Sequence, residues 1–245
     1  MTKAIILSAG QGRRLLPLTE NCPKCMLEIA GKSVLQWQLD ALLACNVTEI
    51  SIITGFHSEQ VENLLDSNYA DKPQIGFVFN PFFNVSDNLA SCWLARQEMN
   101  EDFLLINGDT VYETSLLEHV LKSESAPVTL TIDFKEKYDE DDMKVTLEDR
   151  QVKGVSKILS PEQTHAESIG MLYFRGDGPR QFRNSVENAM RKPSGLKSWF
   201  LSVVDAMARD GKVTSCSISG HRWAEIDFIH DLESAQEILA PSNIS

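Results

Sequence analysis

The sequence has no hydrophobic run long enough to span a membrane, and its first residues lack the basic, apolar and small-residue pattern of a secretion signal. Positive charge is also scarce. Its 23 lysines and arginines stand against 35 aspartates and glutamates, so the formal net charge is −12 at pH 7. Such a charge disfavours non-specific binding to nucleic acid or anionic membranes. We therefore expect a cytoplasmic protein without these partners, in which an anionic substrate is drawn in by a local cluster of cations and metal.

Cysteine is sparse and odd in number, with five residues, which predicts free thiols rather than a disulfide framework. Cys22-Pro-Lys-Cys25 has no second cysteine pair and no nearby histidine, so zinc binding is not expected. The sequence also shows no Ser/His/Asp or Cys/His arrangement of the kind used in nucleophilic catalysis. We interpret the two cysteines as incidental to their loop.

Two nucleotide-binding patterns are incomplete. A dinucleotide-binding loop needs a third glycine, but Leu15 follows Gly10 and Gly12 at the required position. A Walker P-loop ending at Gly31 needs a glycine where Met26 stands. An NAD-binding module and a P-loop are therefore not expected.

The chain does contain a small-residue loop directly after an apolar segment. Ala4–Leu7 predicts a buried strand, and Ser8–Gly12 allows backbone N–H groups to approach a ligand closely. Arg13, Arg14 and Lys24 follow as fixed cations. This combination suits a nucleoside triphosphate, although a tight turn with solvated cations is the alternative.

The first half alternates strand and helix patterns. The predicted strands are Ala4–Leu7, Ile50–Thr54, Ile75–Phe79 and Phe103–Ile106, and the predicted helices are Ser33–Cys45 with Ser33 as N-cap, Ser58–Leu65 with Ser58 as N-cap, and Asn88–Met99. This alternation predicts a doubly wound, mostly parallel sheet, which binds ligands at the carboxyl ends of its strands. The small-residue loop and Asp109 follow two such ends.

After Ser125 the pattern becomes richer in strands. The predicted elements are strands Val128–Phe134, Met143–Leu147, Val152–Lys157 and Ile169–Phe174, helices Gly178–Arg191 and Leu196–Arg209, strand Val213–Ile218, and helix Ile229–Leu239. We expect an α/β fold with a Rossmann-like mixed sheet and a smaller β-rich acceptor lobe. Residues 1–240 would form one domain, with a nucleotide-binding half (1–125), an acceptor and metal half (126–240), and a flexible tail at 241–245.

Three motifs near the start resemble the signature of nucleotidyltransferases that activate sugar phosphates and phosphocholine: Gly10-x-Gly12-x-Arg14, Leu16-Pro-Leu-Thr19 and Pro23-Lys24-x-Met-Leu27. Later segments extend the resemblance over nearly the whole chain: Asn107-Gly-Asp109, Asp141-Asp-Met-Lys144 and Trp223-Ala-Glu225-Ile-Asp227. Together they are most similar to the phosphocholine cytidylyltransferase-like branch. The resemblance implies a nucleotide-diphospho-sugar transferase type of fold and Mg²⁺-dependent transfer from CTP to a small phosphorylated or phosphonylated amine, with release of pyrophosphate.

The resemblance also implies roles for matching residues. They are catalytic Arg13 (favoured over Arg14) and Lys24, nucleotide-binding Ala9, Gly10, Gly12, Asn88 and Ser91, and metal-binding Asp109, Asp227 and Glu225. Mg²⁺ prefers oxygen ligands, and residues two apart in an extended segment point to one face. A solvated acidic surface is the alternative for the pair Glu225 and Asp227. Capping of the helix that starts at Asn88 is an alternative, or additional, role for that residue.

The acceptor site is the least specified part. Lys144 resembles the lysine that meets the acceptor phosphate, and Trp199, Trp223 and Tyr173 are candidate aromatic contacts for an ammonium group, although such residues more often belong to a core. Asp133 or an acidic residue of 139–142 is the alternative contact for an amine. A sugar-1-phosphate uridylyl- or thymidylyltransferase and a non-catalytic pyrophosphorylase-like protein remain alternatives. The presence of Arg13, Lys24, Asp109 and Asp227 favours an enzyme. Oligomeric state stays open.

Overall fold

A computed structural model of the chain describes residues 2–239. Within that range the strands are β1 (Lys3–Ser8), β2 (Glu28–Ile29), β3 (Lys32–Ser33), β4 (Glu49–Thr54), β5 (Ile75–Phe79), β6 (Phe103–Asn107), β7 (Thr110–Tyr112), β8 (Val128–Asp133), β9 (Lys144–Glu148), β10 (Gln151–Ser156), β11 (Ala166–Phe174), β12 (Val213–Ser217) and β13 (Trp223–Glu225). The α-helices there are α1 (Val34–Ala44), α2 (Ser58–Asn68), α3 (Asn88–Leu94), α4 (Thr114–Leu121), α5 (Gly178–Met190), α6 (Phe200–Arg209) and α7 (Ile229–Leu239).

A nine-stranded sheet in the order β5-β4-β1-β6-β11-β8-β12-β10-β9 joins both halves of the sequence. From β5 to β6 all strands run parallel, whereas β11 is antiparallel to β6 and β8. Strand β10 is antiparallel to both β9 and β12. The mixed sheet and the strand-rich second half confirm the predicted fold class.

Helices cover both faces of the sheet because the strand residues alternate between two hydrophobic cores. Ile5 of β1 belongs to a core with residues of α3, α5 and α6, whereas its neighbours Ala4 and Ile6 pack with α1, α2 and α4. All three β1 residues are fully buried. Strand β1 is thus covered on both sides, as in doubly wound folds.

Most predicted elements lie within a few residues of their expected positions. Helix α1 begins after Ser33, whose hydroxyl accepts a bond from the Gln36 N–H while the Gln36 side chain accepts one from the Ser33 N–H. This reciprocal capping box confirms Ser33 as N-cap. The proposed cap of α2 is wrong, because Ser58 is the first helical residue and His57 occupies the N-cap position.

Two predicted helices are shorter than expected. Helix α3 ends at Leu94 and continues only as a 3-10 turn, in which the Arg96 guanidinium donates to the Trp93 carbonyl at 2.8 Å. The helix predicted from Leu196 begins at Phe200, whose N–H donates to the Asn88 side chain at 2.9 Å. Helix α4 and strand β7 were not predicted.

A third, smaller core anchors the loops around the carboxyl end of β1. It joins Leu15 and Ile29 to Val111, Ile226 and residues of α7. Among residues 2–239, no helix is long and apolar enough to cross a membrane. The predicted tail at 241–245 lies outside the described residues.

Candidate active site

A cavity of about 450 Å³ opens where β1 and β6 end. The small-residue loop lines one wall, the residues after β6 form the base, and residues from the second half complete the opposite wall. The predicted site residues that line it are Ala9, Gly10, Gly12, Arg13, Lys24, Asn88, Ser91, Asp109, Trp199, Glu225 and Asp227. The structure therefore brings together residues from positions 9 to 227.

The loop after β1 is shaped to hold Lys24 at the cavity wall. Gly12 has a φ of +75°, which disfavours any residue with a side chain, and a Cβ there would lie 3.0 Å from the Lys24 Cβ. The Thr19 hydroxyl donates to the Gly12 carbonyl at 2.8 Å, and Leu15 is fully buried beneath the loop. The backbone therefore approaches the lysine stem closely.

Three carboxylates converge at the base of the cavity. Strand β13 pairs with β7 so that Glu225 lies opposite Thr110, and the Ile226 N–H donates to the Asp109 carbonyl at 3.0 Å. One oxygen from each of Asp109, Glu225 and Asp227 lies within 4.8 Å of the other two. The proximity of Glu225 and Asp227 therefore depends on this strand pairing and on the turn that follows it.

Lys24 pairs with two carboxylates of this cluster. Its ammonium group donates to Asp109 Oδ2 at 2.8 Å and to Asp227 Oδ1 at 2.6 Å. Burial works to lower the pKa of Lys24, but the two carboxylates outweigh it and raise that pKa to about 12. Lys24 is therefore charged at any physiological pH.

The two arginines of the loop point in different directions. Arg14 contacts Asp227 at 2.7 Å and Asp141 at 3.1 Å, so it connects the carboxylate cluster to the second half of the chain. Arg13 instead donates to the Asn84 side chain at 2.8 Å. Both line the cavity, and Arg13 keeps more freedom to bind an added anion.

Glu225 and Asp227 differ in proton affinity. The side chain of Glu225 reaches solvent, yet the protein around its carboxyl group and the charges of Asp109 and Asp227 raise its pKa. For Asp227, burial would raise the pKa, but Lys24 and Arg14 outweigh it and hold the pKa below the usual value. Glu225 thus holds its proton more tightly than an ordinary glutamate, whereas Asp227 stays ionised.

This donor set fits a hard divalent cation. All three groups supply carboxylate oxygens, which Mg²⁺ prefers over nitrogen or sulfur ligands. Burial and then the like charges of Asp109 and Asp227 raise the pKa of Glu225, and a bound cation would relieve the repulsion between those charges. Asp109, Glu225 and Asp227 are therefore the residues that could hold such an ion.

Asn88 and Ser91 line the cavity but also carry structural bonds. The Asn88 side chain accepts from the Phe200 N–H, so it satisfies the first N–H group of α6, while the N-cap residue of α3 is Asp87. The Ser91 hydroxyl accepts from the Asn80 amide at 3.1 Å, and both residues are buried. The proposed capping of its own helix by Asn88 is therefore wrong, whereas a nucleotide contact stays a prediction.

The opposite wall contains a lysine that the sequence interpretation did not single out. Lys157 lines the cavity, with its ammonium 5.1 Å from the Trp199 ring centroid and 3.8 Å from Asp141. Trp199 is 46% exposed, so its ring remains open to a ligand. A cation, an aromatic face and a carboxylate therefore meet at this wall.

Three predicted acceptor residues lie away from the cavity. Lys144 is buried, and its ammonium donates to the carbonyls of Asp139 at 2.5 Å and Lys157 at 3.0 Å. The Trp223 indole donates to Asp133 at 2.8 Å, and the Tyr173 hydroxyl is 3.0 Å from that of Thr2. Each of the three side chains is thus held by bonds within the protein, outside the cavity lining. Asp133, the alternative amine contact, is occupied by the same indole.

The cysteines around Lys24 are free thiols. Cys25 is buried, and burial raises its pKa to about 12. Burial also raises the pKa of Cys22. Neither group supplies a thiolate at neutral pH.

Arg14, Lys157 and Asp141 are the main cavity residues to which sequence reasoning assigned no specific role. Lys157 had a detectable signal, because it ends a predicted strand, where side chains of such folds reach the ligand. The run 139–142 held four acidic residues, and only the three-dimensional structure shows that Asp141 is the one that lines the cavity.

Comparisons with known proteins agree with this geometry. A family model described as nucleotidyl transferase matches residues 3–144. The CMP-5'-(3-aminopropyl)phosphonate synthase of Streptomyces rubellomurinus is 26% identical over 98% of this chain, which spans 39% of that protein's length. The choline-phosphate cytidylyltransferase of Streptococcus pneumoniae is 24% identical over 98% of this chain and its own full length.

A solved structure supports the same fold. The CTP:phosphocholine cytidylyltransferase from Streptococcus pneumoniae superposes with a TM-score of 0.79 at 23% identity, over 97% of this chain and 99% of that one. Because the family model matches more than half of the sequence, the chain belongs to the nucleotidyl transferase family. The enzymatic class predicted from the motifs is confirmed.

Proposed function

We propose that this member of the nucleotidyl transferase family transfers a cytidylyl group from CTP to a small phosphorylated or phosphonylated amine. The observation that carries the proposal is one cavity with the cations Arg13 and Lys24 on one wall and a lysine, an indole and a carboxylate on the other. Relatives that align over nearly the whole chain support it, since their names specify a phosphonate and choline phosphate.

In the proposed reaction, an anionic oxygen of the acceptor attacks the α-phosphorus of CTP. A new P–O bond forms, the bond from the α-phosphorus to the bridging oxygen breaks, and its electron pair leaves with pyrophosphate. The nucleophile is already ionised near neutral pH, so no proton must be removed. Catalysis then depends on orientation and on stabilisation of charge, as in other phosphoryl transfers.

Lys24 and the small-residue loop would supply the fixed part of that stabilisation. Lys24 is charged and buried beside Asp109, so it can move its donors to the α- and β-phosphates without a change in protonation. Among the described residues 2–239, the partner of Arg13 is the neutral Asn84 amide, so Arg13 is available for the β- and γ-phosphates. Backbone N–H groups between Ala9 and Gly12 would complete this wall.

Asp109, Asp227 and Glu225 would hold Mg²⁺, which supplies positive charge against the α-phosphate and the attacking oxygen. Without substrate, Lys24 and Arg14 neutralise the charges of Asp109 and Asp227. On nucleotide binding, these two cations would reorient toward phosphate. The protein thus exchanges internal ion pairs for substrate contacts.

We assign the acceptor phosphate or phosphonate to Lys157 rather than to Lys144. Lys157 faces the cavity, whereas the donors of Lys144 are used by backbone carbonyls that hold the 139–142 segment. Once Lys157 binds an anion, the Trp199 face is free for an ammonium group, and Asp141 can accept from an amine. This wall therefore suits an acceptor with separated negative and positive ends.

Steady-state kinetics of lysine variants test the acceptor assignment. Lys157→Met should raise the acceptor KM at least tenfold and leave the CTP KM within about twofold, because one charge-assisted contact contributes about 1.5–3 kcal/mol. Lys153→Met is the matched control, since Lys153 lies on β10 and pairs with Glu148 outside the cavity. A larger effect on CTP than on the acceptor would contradict the assignment.

A pyrophosphate-release assay tests the reaction itself. CTP with phosphocholine, phosphoethanolamine or 2-aminoethylphosphonate should outpace UTP or dTTP with hexose 1-phosphates. If the hexose 1-phosphates react faster, the chain is a sugar-activating member of the family and the cytidylyl proposal is wrong.

A further inference from the structure

A second recess of about 240 Å³ adjoins the main cavity. Arg13, Ser86 and Asp87 line both, so the recess is a side branch of the active site rather than a separate pocket. Its remaining polar lining includes Gln11, Asn84 and Lys197. Lys197 lies outside the nucleotidyltransferase motifs described above.

The chain geometry holds Lys197 beside the nucleotide-binding half. Lys197 ends the 3-10 turn Gly195–Lys197, and the Leu196 carbonyl in that turn accepts from the Asp87 N–H at 2.8 Å. The next residue, Ser198, accepts from the Leu89 N–H at 3.3 Å. Two backbone bonds thus connect the Lys197 segment to the start of α3.

The recess carries more positive than negative charge. Within residues 2–239, Arg13 and Lys197 have no carboxylate in ion-pair contact, whereas Asp87 is the single acidic residue in the recess lining. In the main cavity, by contrast, Lys24 and Arg14 are both compensated by carboxylates. Two cations against one carboxylate leave the recess with a local excess of positive charge, which attracts an anion even in a chain of net charge −12.

The recess also offers unused hydrogen-bonding capacity. The Ser86 hydroxyl oxygen is buried and has no hydrogen-bond partner among the described residues. A polar group left unpaired in this way costs free energy, which a ligand oxygen or water would recover.

We propose that this recess receives the β- and γ-phosphates of the bound nucleotide, and that Lys197 is a further binding residue for the leaving pyrophosphate. The inference rests on the proposed nucleotidyl transfer, but not on the identity of the base. In the main cavity Lys24 and Arg14 are already engaged by carboxylates, whereas the cations of the recess have no ion-pair partner among the described residues. Arg13 lines both spaces and provides the path into the recess, where Lys197 meets the negative charge that develops on the leaving group.

Titration calorimetry with inorganic pyrophosphate and Mg²⁺ tests the recess directly. Lys197→Ala should weaken pyrophosphate binding about tenfold, raise the product-inhibition constant of pyrophosphate by the same factor, and leave the acceptor KM unchanged. Lys197→Arg should retain wild-type binding, because it keeps the charge. Lys192→Ala is the matched control, since Lys192 is a nearby exposed lysine that lines neither space.

The outcomes separate the two proposals. Unchanged pyrophosphate binding in Lys197→Ala, or an equal loss in Lys192→Ala, overturns the role of Lys197. If pyrophosphate binding falls as expected but CTP is not turned over with any phosphorylated amine, the recess assignment stands and the cytidylyl proposal fails.

Discussion

Replacing Lys24 by alanine should change activity and metal affinity in opposite directions. In the free protein, the Lys24 ammonium donates to two of the three carboxylates that could hold Mg²⁺, and its side chain is only 13% exposed. The same group therefore competes with the metal before substrate binds and, in our proposal, neutralises phosphate afterwards. Lys24→Ala removes both effects.

The magnitudes follow from these contacts. A charge pair at 4 Å contributes about 4 kcal/mol at an effective dielectric constant of 20. Arg14 still compensates Asp227, so we expect only part of that energy, and at least tenfold tighter binding of Mg²⁺ or Mn²⁺. Turnover should fall roughly 10²–10³-fold, as for the loss of comparable electrostatic donors.

Metal titration calorimetry and pyrophosphate-release kinetics on the same samples provide the two readouts. Lys32→Ala is the control, because Lys32 is also paired at 2.6 Å, with Asp40, but lies outside the cavity. If Lys24→Ala weakens metal binding together with activity, Lys24 does not compete with the metal for the carboxylates. Near-normal turnover in Lys24→Ala would refute the role of Lys24 in phosphate binding.

Three further predictions concern the carboxylates, the cysteines and a buried glutamate. Asp109→Asn and Asp227→Asn should each abolish metal-dependent turnover with the fold retained, as judged by circular dichroism; wild-type rates in either variant, or full activity in excess chelator, would contradict the metal site. Cys22→Ser and Cys25→Ser should leave kcat within about twofold, whereas lost activity together with bound zinc would show that this loop is a metal site. Burial raises the pKa of Glu167 to about 7. The contribution of this shift to the stability of the fold is therefore full below about pH 4.5 and is lost as the pH rises through 7. In urea denaturation, the free energy of unfolding of Glu167→Gln should therefore rise by roughly 2–3 kcal/mol relative to that of wild type between pH 5 and pH 8. Parallel curves of unfolding free energy against pH for the two proteins would contradict this.

The nucleotide-binding half was predictable because its signals are local. An apolar strand followed by small residues and cations identifies the first loop, and Ser33 with Gln36 marks a helix start within four residues. Helix α4 was missed although Leu116, Leu117 and Val120 follow helical spacing and are buried. These residues make α4 predictable from the sequence alone.

The acceptor wall was less predictable because it depends on long-range pairing. Strand β10 shifts register against β9 between Val152 and Gly154, and its end then presents Lys157 to the cavity. Lys144 begins the partner strand but turns its ammonium to backbone carbonyls. No local pattern distinguishes two lysines that each stand at the end of a short strand.

The central claim is tested most directly by one competition experiment. The purified protein is incubated with Mg²⁺, equal concentrations of CTP, UTP, dTTP, ATP and GTP, and a mixture of phosphocholine, 2-aminoethylphosphonate and glucose 1-phosphate, and the products are identified by mass spectrometry. We expect a cytidylyl adduct of an amine-bearing acceptor as the dominant early product, formed with stoichiometric pyrophosphate. A dominant uridylyl or thymidylyl sugar, or no adduct at all, would contradict the proposed function.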